Sequence, residues 1–224
     1  KATGTVAAGP TVLSNLASMA SCSSGHGDPI VLFDSIANRW LISEFSNVGG
    51  NHLCVYVSQT GNPITGGWYA YDFTVTEFPD YPKYAVWPDA YYVTRNESSP
   101  ANYALDRSSM VAGSAATYQR FTATNLAGFP FQALTPGDLD GSTQPPIGTP
   151  GYFIRHRDDE AHNVGSNNPN EDYLEIWEFD VDWVTPANST FGKVQDVAIS
   201  EFDSDLCGLV SFNCFPQSGT TITL

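Results

Sequence analysis

Short apolar segments, rich in β-branched and aromatic residues, alternate along the chain with short runs of Gly, Pro, Asn and Asp. Examples of the apolar segments are "PIVLFD", "RWLISEF", "LCVYVSQ", "YFIRH" and "LEIWEFDVDW". Val, Ile, Tyr, Phe and Trp suit the half-buried surface of a β-sheet, and the intervening residues favour turns. No long segment has the period of an amphipathic helix. The pattern predicts an all-β chain.

The apolar segments form a weak internal repeat. Three leading segments each begin at a residue that precedes a proline, and a second segment follows each of them at a similar spacing. The leading segments begin at Asp28, Tyr81 and Thr149, and the second segments begin at Asn51, Asn102 and Asp172. A repeated unit of roughly 50 to 70 residues with about four strands is typical of a β-propeller blade. A β-sandwich with a similar number of strands is the alternative.

The repeat divides the chain into units of one all-β, propeller-like domain. We expect an N-terminal segment at 1–21, three full four-stranded blades at 22–78, 79–133 and 134–195, and the start of a further blade at 196–224. Propellers typically have about four to eight blades, so three blades would not close the ring. The remaining blades of the same precursor, or a second copy of the chain in a homo-oligomer, would then complete it.

The composition supports a large core and limits the possible partners. The chain is 42% hydrophobic and 13% aromatic, and it carries 24 acidic residues against 9 Lys and Arg, for a net charge of -15. Such acidity argues against nucleic-acid binding and against docking on an anionic membrane. No apolar run has the length of a membrane span, so we expect no membrane insertion. The charge is compatible with Ca²⁺ or with a cationic partner.

The four cysteines fall into two local groups, and we expect one disulfide in each group: Cys22–Cys54 and Cys207–Cys214. Four buried thiols in a reducing cell are the alternative. The spacing lacks a CxxC motif and a Cys/His knuckle, which argues against zinc. The low lysine content and the many small polar residues fit an oxidising compartment, so we expect an extracellular or cell-surface protein. Sequons at Asn96 ("NES") and Asn188 ("NST") would permit glycosylation in a eukaryotic secretory route.

From about Cys22 to the C terminus, consecutive blocks of the chain resemble a known type of module. The blocks include "GDPIVLFDSIANRWLISEFS", "FPDYPKYAVWPDAYYVTRN", "LEIWEFDVDWVTPANSTF" and "LCGLVSFNCFPQSGTT". They resemble a β-propeller-like module of large secreted bacterial surface proteins, often found beside PKD-like or fibronectin-like repeats. The resemblance implies the propeller-like fold, the cysteine pattern and further blades after the position of Leu224. It gives no catalytic residues to carry over.

The stretch "HRDDEAHNVGSNNPN" is the first candidate site, because it combines two imidazoles with three consecutive acids. Carboxylates and nearby carbonyl groups favour Ca²⁺, whereas imidazole with carboxylate would suit a transition metal or another ligand. The alternative is a loop whose acids are solvated or paired with Arg155 and Arg157. The candidate residues are the possible calcium ligands Asp158, Asp159 and Glu160, and the possible ligand-binding residues His156 and His162.

The stretch "DLDGST" is a second candidate calcium loop, with Asp138 and Asp140 as ligands. It is not an EF-hand, because position twelve of the loop is Thr149 in place of the required glutamate. An Asx-turn with a glycine is the structural alternative.

The stretch "FPDYPKYAVWPDAYY" could form an aromatic platform for a glycan. Trp87 and Tyr91 would stack on sugar faces, and Asp80 or Asp89 would bind sugar hydroxyls. The alternative is that both rings belong to the core between blades.

These features together favour an extracellular binding or structural-assembly module of a cell-surface, matrix or filament protein, contacting glycan or protein through rigid loops. Catalysis stays uncertain and is the less favoured class, since GxSxG, P-loop and GxGxxG motifs are missing and no organic cofactor is indicated. The alternative is a secreted polysaccharide-acting hydrolase with a carboxylate-based central site. That alternative requires acids such as Asp28, Asp89, Asp158 and Glu175 to cluster in one pocket.

Overall fold

The computed structural model describes residues 4, 6–16, 18–127, 132–141, 143–162, 168–204 and 217–221. Across these residues the strands form three antiparallel sheets of four strands each. The prediction of an all-β chain is therefore confirmed.

The first sheet pairs its strands in chain order: β1 (Gly25–Asp34), β2 (Arg39–Ser46), β3 (Asn51–Ser58) and β4 (Trp68–Val75). The register aligns Leu32 with Leu41 and Leu41 with Val57. Because side chains alternate between the two faces of a strand, these apolar residues share one face. The β1–β2 turn is fixed by Asp34, whose carboxylate accepts hydrogen bonds from two backbone N–H groups of the turn.

The second sheet also pairs its strands in chain order: β5 (Asp80–Val86), β6 (Tyr91–Asn96), β7 (Ala101–Leu105) and β8 (Tyr118–Thr122). A short helix, α1 (Arg107–Ala112), connects β7 to β8. Asp106 caps its first turn by accepting a hydrogen bond from Ser109 N at 3.0 Å. Gly113 ends it with a φ of 71°, a conformation that glycine adopts without strain. The sequence did not predict α1, because it is too short to show a helical period.

The third sheet has the order β12, β11, β10, β9, formed by β9 (Thr135–Pro136), β10 (Gly151–Arg157), β11 (Glu171–Asp180) and β12 (Thr190–Ser200). A one-turn helix, α2 (Asp159–His162), follows β10. Strand β12 continues to Ser200, so residues 196–200 belong to this sheet. The described residues also contain short 3₁₀ turns at Leu13–Asn15, Ala20–Cys22 and Pro186–Asn188.

The second sheet packs against both of the others. Tyr91 and Tyr92 are neighbours on β6 and point to opposite faces of the sheet. Tyr91 joins the apolar cluster shared with the first sheet, and Tyr92 joins the cluster shared with the third sheet. The first strands also touch in order, since β1 contacts β5 and β5 contacts β9. The core therefore consists of two layers of side chains between three sheets.

The first disulfide prediction is confirmed. Cys22 and Cys54 are bonded, with their Cα atoms 5.9 Å apart, whereas Cys207 and Cys214 lie outside the described residues. The bond attaches the N-terminal segment to the outer face of the first sheet, where Leu13, Leu16 and Met19 pack around it. A disulfide is consistent with an extracellular protein. In the part of the chain that the structure describes, no helix is both long enough and apolar enough to cross a membrane.

A buried ion pair joins the first two sheets. Asp34, at the end of β1, accepts hydrogen bonds from Arg107 Nε at 2.7 Å and Arg107 Nη2 at 2.9 Å. The Tyr91 hydroxyl donates a third hydrogen bond to the same carboxylate at 2.7 Å. Burial disfavours ionisation of Asp34, but these bonds and the Ala37 N–H outweigh it and hold its pKa below the usual value.

Candidate functional site

The acidic stretch after β10 folds as a capped helical turn rather than as an open loop. Asp158 Oδ1 accepts a hydrogen bond from Ala161 N at 2.9 Å, which caps α2. The backbone carbonyl of Asp158 accepts a further bond from His162 N at 3.0 Å. The turn points the consecutive acids inward, because Asp158 is 3% exposed and Asp159 is fully buried. The alternative in which these acids are solvated therefore does not hold for this pair.

Three carboxylates converge at this turn: Asp158, Glu160 and Asp172. One oxygen from each lies within 4.8 Å of the others. Asp172, on β11, also accepts a hydrogen bond from Asp159 N at 2.9 Å. We call Asp158, Asp159, Glu160 and Asp172 the acidic cluster.

Asp172 was absent from the candidates drawn from the sequence, although the hairpin register could have identified it. Arg157 pairs with Tyr173 in the β10–β11 ladder. One step further along the same antiparallel register places Asp158 opposite Asp172. The cross-strand aromatic pair Phe153 and Trp177 belongs to the same register and leads to the same position.

The segment after β12 closes the cluster from a third side. Ser204 donates to Asp158 Oδ2 from its backbone N at 2.7 Å and from its hydroxyl at 2.8 Å. Phe202 N donates to Asp172 Oδ2 at 2.8 Å. The cluster therefore ties together α2, the start of β11 and the chain that follows β12.

Some carboxylate oxygens of the cluster have no hydrogen-bond donor among the described residues. Asp159 Oδ1 and both carboxylate oxygens of Glu160 are buried atoms without a hydrogen-bond partner there. Burial and the adjacent Asp159 carboxylate raise the pKa of Glu160. Burial also opposes ionisation of Asp158, but the N–H groups of Ala161 and Ser204 outweigh it and lower its pKa. The cluster is thus a place where negative charge is held close together and only partly compensated.

The donor set of the cluster suits a hard divalent cation. Carboxylate oxygens are the ligands that Ca²⁺ prefers, and its flexible coordination tolerates irregular spacing. Asp158 and Asp172 each retain unused lone pairs beside their N–H bonds. Asp159 and Glu160 would supply oxygens that currently lack donors. The carboxylates of Asp158, Glu160 and Asp172 could therefore hold a metal ion.

The two histidines predicted as ligands lie together, beside the cluster. Their ring centroids are 5.8 Å apart, and the His156 ring also contacts Phe202. Burial lowers the pKa of His156, and burial together with the charge of His156 lowers the pKa of His162. Both imidazoles therefore favour the neutral form at neutral pH.

Asp138, in the second predicted calcium loop, has a structural contact. Its Oδ1 accepts a hydrogen bond from Val86 N at 2.7 Å, and Leu139 N donates to Val86 O at 3.1 Å. These bonds attach the segment around β9 to β5 of the second sheet. Calcium binding by Asp138 and Asp140 stays a prediction.

The two aromatic residues predicted as a glycan platform belong largely to the core. Tyr91 is fully buried, so neither face of its ring can reach a ligand. Trp87 is half-buried, and its Nε1 donates to Thr149 O at 3.1 Å. The exposed rings of this stretch are instead Phe78 and Tyr81, at 40% and 51% exposure.

The two sequons occupy different settings. Asn96 is the last residue of β6 and is half-buried. Asn188 is exposed in a 3₁₀ turn, where its amide donates to Asp182 Oδ2 at 3.3 Å. Glycosylation at either asparagine stays a prediction.

The four acids required by the hydrolase alternative lie on separate parts of the fold. Asp28 is exposed on β1, and Glu175 is buried on β11 in ion pairs with Arg155 and Arg157. Asp89 lines a pocket with Thr149, just before β10, whereas Asp158 directly follows the other end of that strand. These positions do not bring the four acids together in one pocket.

Comparison with known proteins adds no family to this description. The chain matches no protein-family model, and neither curated proteins nor solved structures give a significant match.

Proposed function

We propose that the protein is an extracellular binding and assembly module whose acidic cluster binds Ca²⁺. The observation that carries this proposal is the convergence of Asp158, Glu160 and Asp172 within 4.8 Å, beside buried oxygens that lack donors among the described residues. A bound cation would compensate that charge and would hold α2, β11 and the segment around Ser204 as one rigid edge. Loops fixed in this way are suited to contact a protein or a glycan, since less conformational entropy is lost on binding.

The calcium role is tested by thermal unfolding of EDTA-treated protein with and without CaCl₂. At a Ca²⁺ concentration about 100 times Kd, the melting temperature should rise by about 5–10 °C. Glu160→Gln should lose most of that rise. Glu178→Gln is the matched control, because Glu178 lies on β11 outside the cluster. No rise in the wild type, or an equal rise in both variants, would exclude calcium binding at the cluster.

The arrangement of the sheets supports a propeller-like architecture as part of this proposal. Each sheet is an antiparallel meander, and the first strands of the sheets, β1, β5 and β9, contact one another in chain order. Inner strands of propeller blades meet in this way around a central axis. A ring of this kind would require further sheets, from the same precursor or from a second copy.

The two outer sheets carry exposed apolar residues on the faces turned away from the second sheet. Val31 and Phe33 on β1 are 56% and 43% exposed, and their neighbours in the strand pack inward. Ile154 on β10 is 43% exposed, next to the buried Phe153. Apolar side chains at such positions suit contact with another sheet.

Assembly through these faces is tested by sedimentation velocity over a range of protein concentrations. The wild type should associate, and Phe33→Asp and Ile154→Asp should each shift the equilibrium toward the monomer. Ile64→Asp is the control, because Ile64 is 54% exposed in the β3–β4 connection. If the wild type stays monomeric at high concentration, self-association through these faces is excluded, and any partner would have to be a different protein chain.

A further inference from the structure

Two adjoining cavities lie along β5 and the end of β6, away from the acidic cluster. The first has a volume of about 480 Å³ and is lined by Glu77, Phe78, Asp80, Asn96, Glu97 and Gln132 among others. The second has a volume of about 290 Å³ and includes Tyr81, Lys83 and Thr135. Asn96 lines both cavities, and we call the two together the groove. Volumes of this size are typical of small-molecule sites.

Among the described residues that line them, each cavity has one exposed aromatic side chain. Phe78 lines the first, and its ring makes an edge-on contact with Phe45, at 4.8 Å between ring centroids. Tyr81 lines the second, with Lys83 Nζ 5.7 Å from its ring centroid. Exposed rings on successive parts of a groove can stack on successive sugar units, whose C–H faces are apolar.

Tyr81 is presented by a strained stretch of backbone. Its φ is 50°, a conformation that residues with a bulky side chain rarely adopt. The strain coincides with a register shift in β5 between Asp80 and Lys83. Such bulges redirect a side chain, and strained residues concentrate at functional sites.

The groove also carries polar groups that are not used inside the fold. Asp80 and Asn96 are cross-strand partners in the β5–β6 ladder. The Asp80 carboxylate and the Asn96 amide make no hydrogen bond to other described residues. A carboxylate beside an amide provides the acceptors and donors that sugar hydroxyls require.

The other two acids of the groove are already engaged and stiffen its wall. Glu77 accepts hydrogen bonds from Ser98 N at 2.9 Å and from the Ser98 hydroxyl at 2.7 Å. Glu97 forms ion pairs with Arg95 and Arg120. The wall is therefore fixed before a ligand arrives, which lowers the entropic cost of binding.

We propose that this groove binds a neutral oligosaccharide of at least two sugar units, one stacked on Phe78 and the next on Tyr81. Asp80 and Asn96 bind the hydroxyls between them. The carboxylates of Glu77 and Asp80, which form no ion pair with a described residue, disfavour uronic acids and sulfated sugars by charge repulsion. This site goes beyond the proposed function and does not depend on calcium at the acidic cluster.

The test uses protein produced in a host that does not glycosylate Asn96, in the presence of EDTA. Saturation-transfer NMR and titration calorimetry are run with neutral hexasaccharides of glucose, xylose, mannose and N-acetylglucosamine, and with polygalacturonate fragments as the anionic comparison. At least one neutral oligosaccharide should bind, and polygalacturonate should bind more weakly. Removing calcium should leave the binding unchanged, so failure here is distinct from failure at the acidic cluster.

Variants locate the binding. Phe78→Ala and Tyr81→Ala should each weaken it roughly tenfold, as expected for loss of one stacked ring. Phe33→Ala, which removes a ring of similar exposure from the first sheet, should leave it unchanged. Because Phe78→Ala also removes the contact with Phe45, Asp80→Asn provides a variant that keeps the packing and should weaken binding as well. Absence of binding to every neutral probe, preference for polygalacturonate, or equal loss in Phe33→Ala would overturn the proposal.

Discussion

Buried carboxylates have two different kinds of hydrogen-bond partner in this protein. Asp34 is bonded to Arg107, and Glu175 on the third sheet is paired with Arg155 and Arg157. In the acidic cluster the three aspartates receive backbone N–H groups and a serine hydroxyl, and no member of the cluster forms an ion pair with a described lysine or arginine.

In some parts of the fold the chain itself supplies the positive charge beside a buried carboxylate. In the acidic cluster, that positive charge would have to come from a dissolved cation. A buried carboxylate bonded to arginine has its countercharge inside the chain. A carboxylate that receives only N–H groups keeps its negative charge, and close neighbours of the same sign add to the cost. We therefore expect the Arg-paired acids to set the stability of the sheet stack and the acidic cluster to respond to cations.

The largest effect should follow from breaking the Asp34 pair. Arg107→Leu leaves Asp34 buried without its cation, and the free energy of unfolding in urea should fall by about 3–5 kcal/mol. The double variant Asp34→Asn/Arg107→Leu should recover part of this loss, because the buried charge is then gone. A loss below about 1 kcal/mol would mean that the pair behaves like an exposed one.

The same ion pair should make the stability of the protein depend on pH in the acidic range. Because the folded-state pKa of Asp34 is lowered, its stabilisation is fully present above the unfolded value of about 3.8 and is lost as pH falls through the folded value. Carboxyl NMR should place the titration of Asp34 below 3.8 in the wild type and higher in Arg107→Leu.

Asp89 is the internal reference for that titration, since it has no arginine or lysine ion pair among the described residues. Burial, together with the nearby Asp180 charge, raises its pKa above the usual 3.8. Its titration should therefore lie above that of Asp34. The reverse order of the two residues would remove the basis of the comparison.

A smaller effect, of changing sign, should come from the acidic cluster. Asp159→Asn keeps the oxygen that accepts from Asn168 N and removes one of the crowded charges. Without calcium, the variant should be more stable than the wild type by about 1 kcal/mol, because one like-charge contact is lost. With saturating calcium the order should invert, since the wild type gains binding energy that the variant lacks. Urea unfolding with EDTA and with CaCl₂ measures both; a variant less stable in EDTA would show that the cluster is not strained by charge.

Strands and the first disulfide could be predicted from local patterns in the sequence, whereas the direction of individual side chains could not. Alternating apolar residues indicated the strands, and the grouping of the cysteines along the chain indicated the Cys22–Cys54 bond. Burial of Asp158 and Asp159 was missed because one turn of helix leaves no period in the sequence. Their polar pattern is that of a loop until the cap at Ala161 and the partner Asp172 are known.

The aromatic stretch illustrates the same limit. Four aromatic residues of this stretch look alike in the sequence: Trp87, Tyr91, Phe78 and Tyr81. Only Phe78 and Tyr81 are exposed. Position in a strand decides this outcome for Tyr91, which faces the first sheet. For Tyr81 the deciding feature is the irregular backbone near the start of β5, which no composition or spacing predicts.

The smallest effect should come from Lys193, which contacts the same buried carboxylate as two arginines. Its Nζ lies 3.7 Å from Glu175 and 2.9 Å from Asp196, and its side chain is 35% exposed. Lys193→Met should lower the free energy of unfolding by less than about 1 kcal/mol, because Glu175 retains Arg155 and Arg157. Urea unfolding of Lys193→Met beside Arg155→Met tests this. Arg155→Met should lose several times more, since it removes two charge-assisted hydrogen bonds from the buried Glu175 carboxylate and the Arg155 bond to the Thr124 carbonyl. Equal losses would mean that exposure does not separate the two kinds of ion pair in this protein.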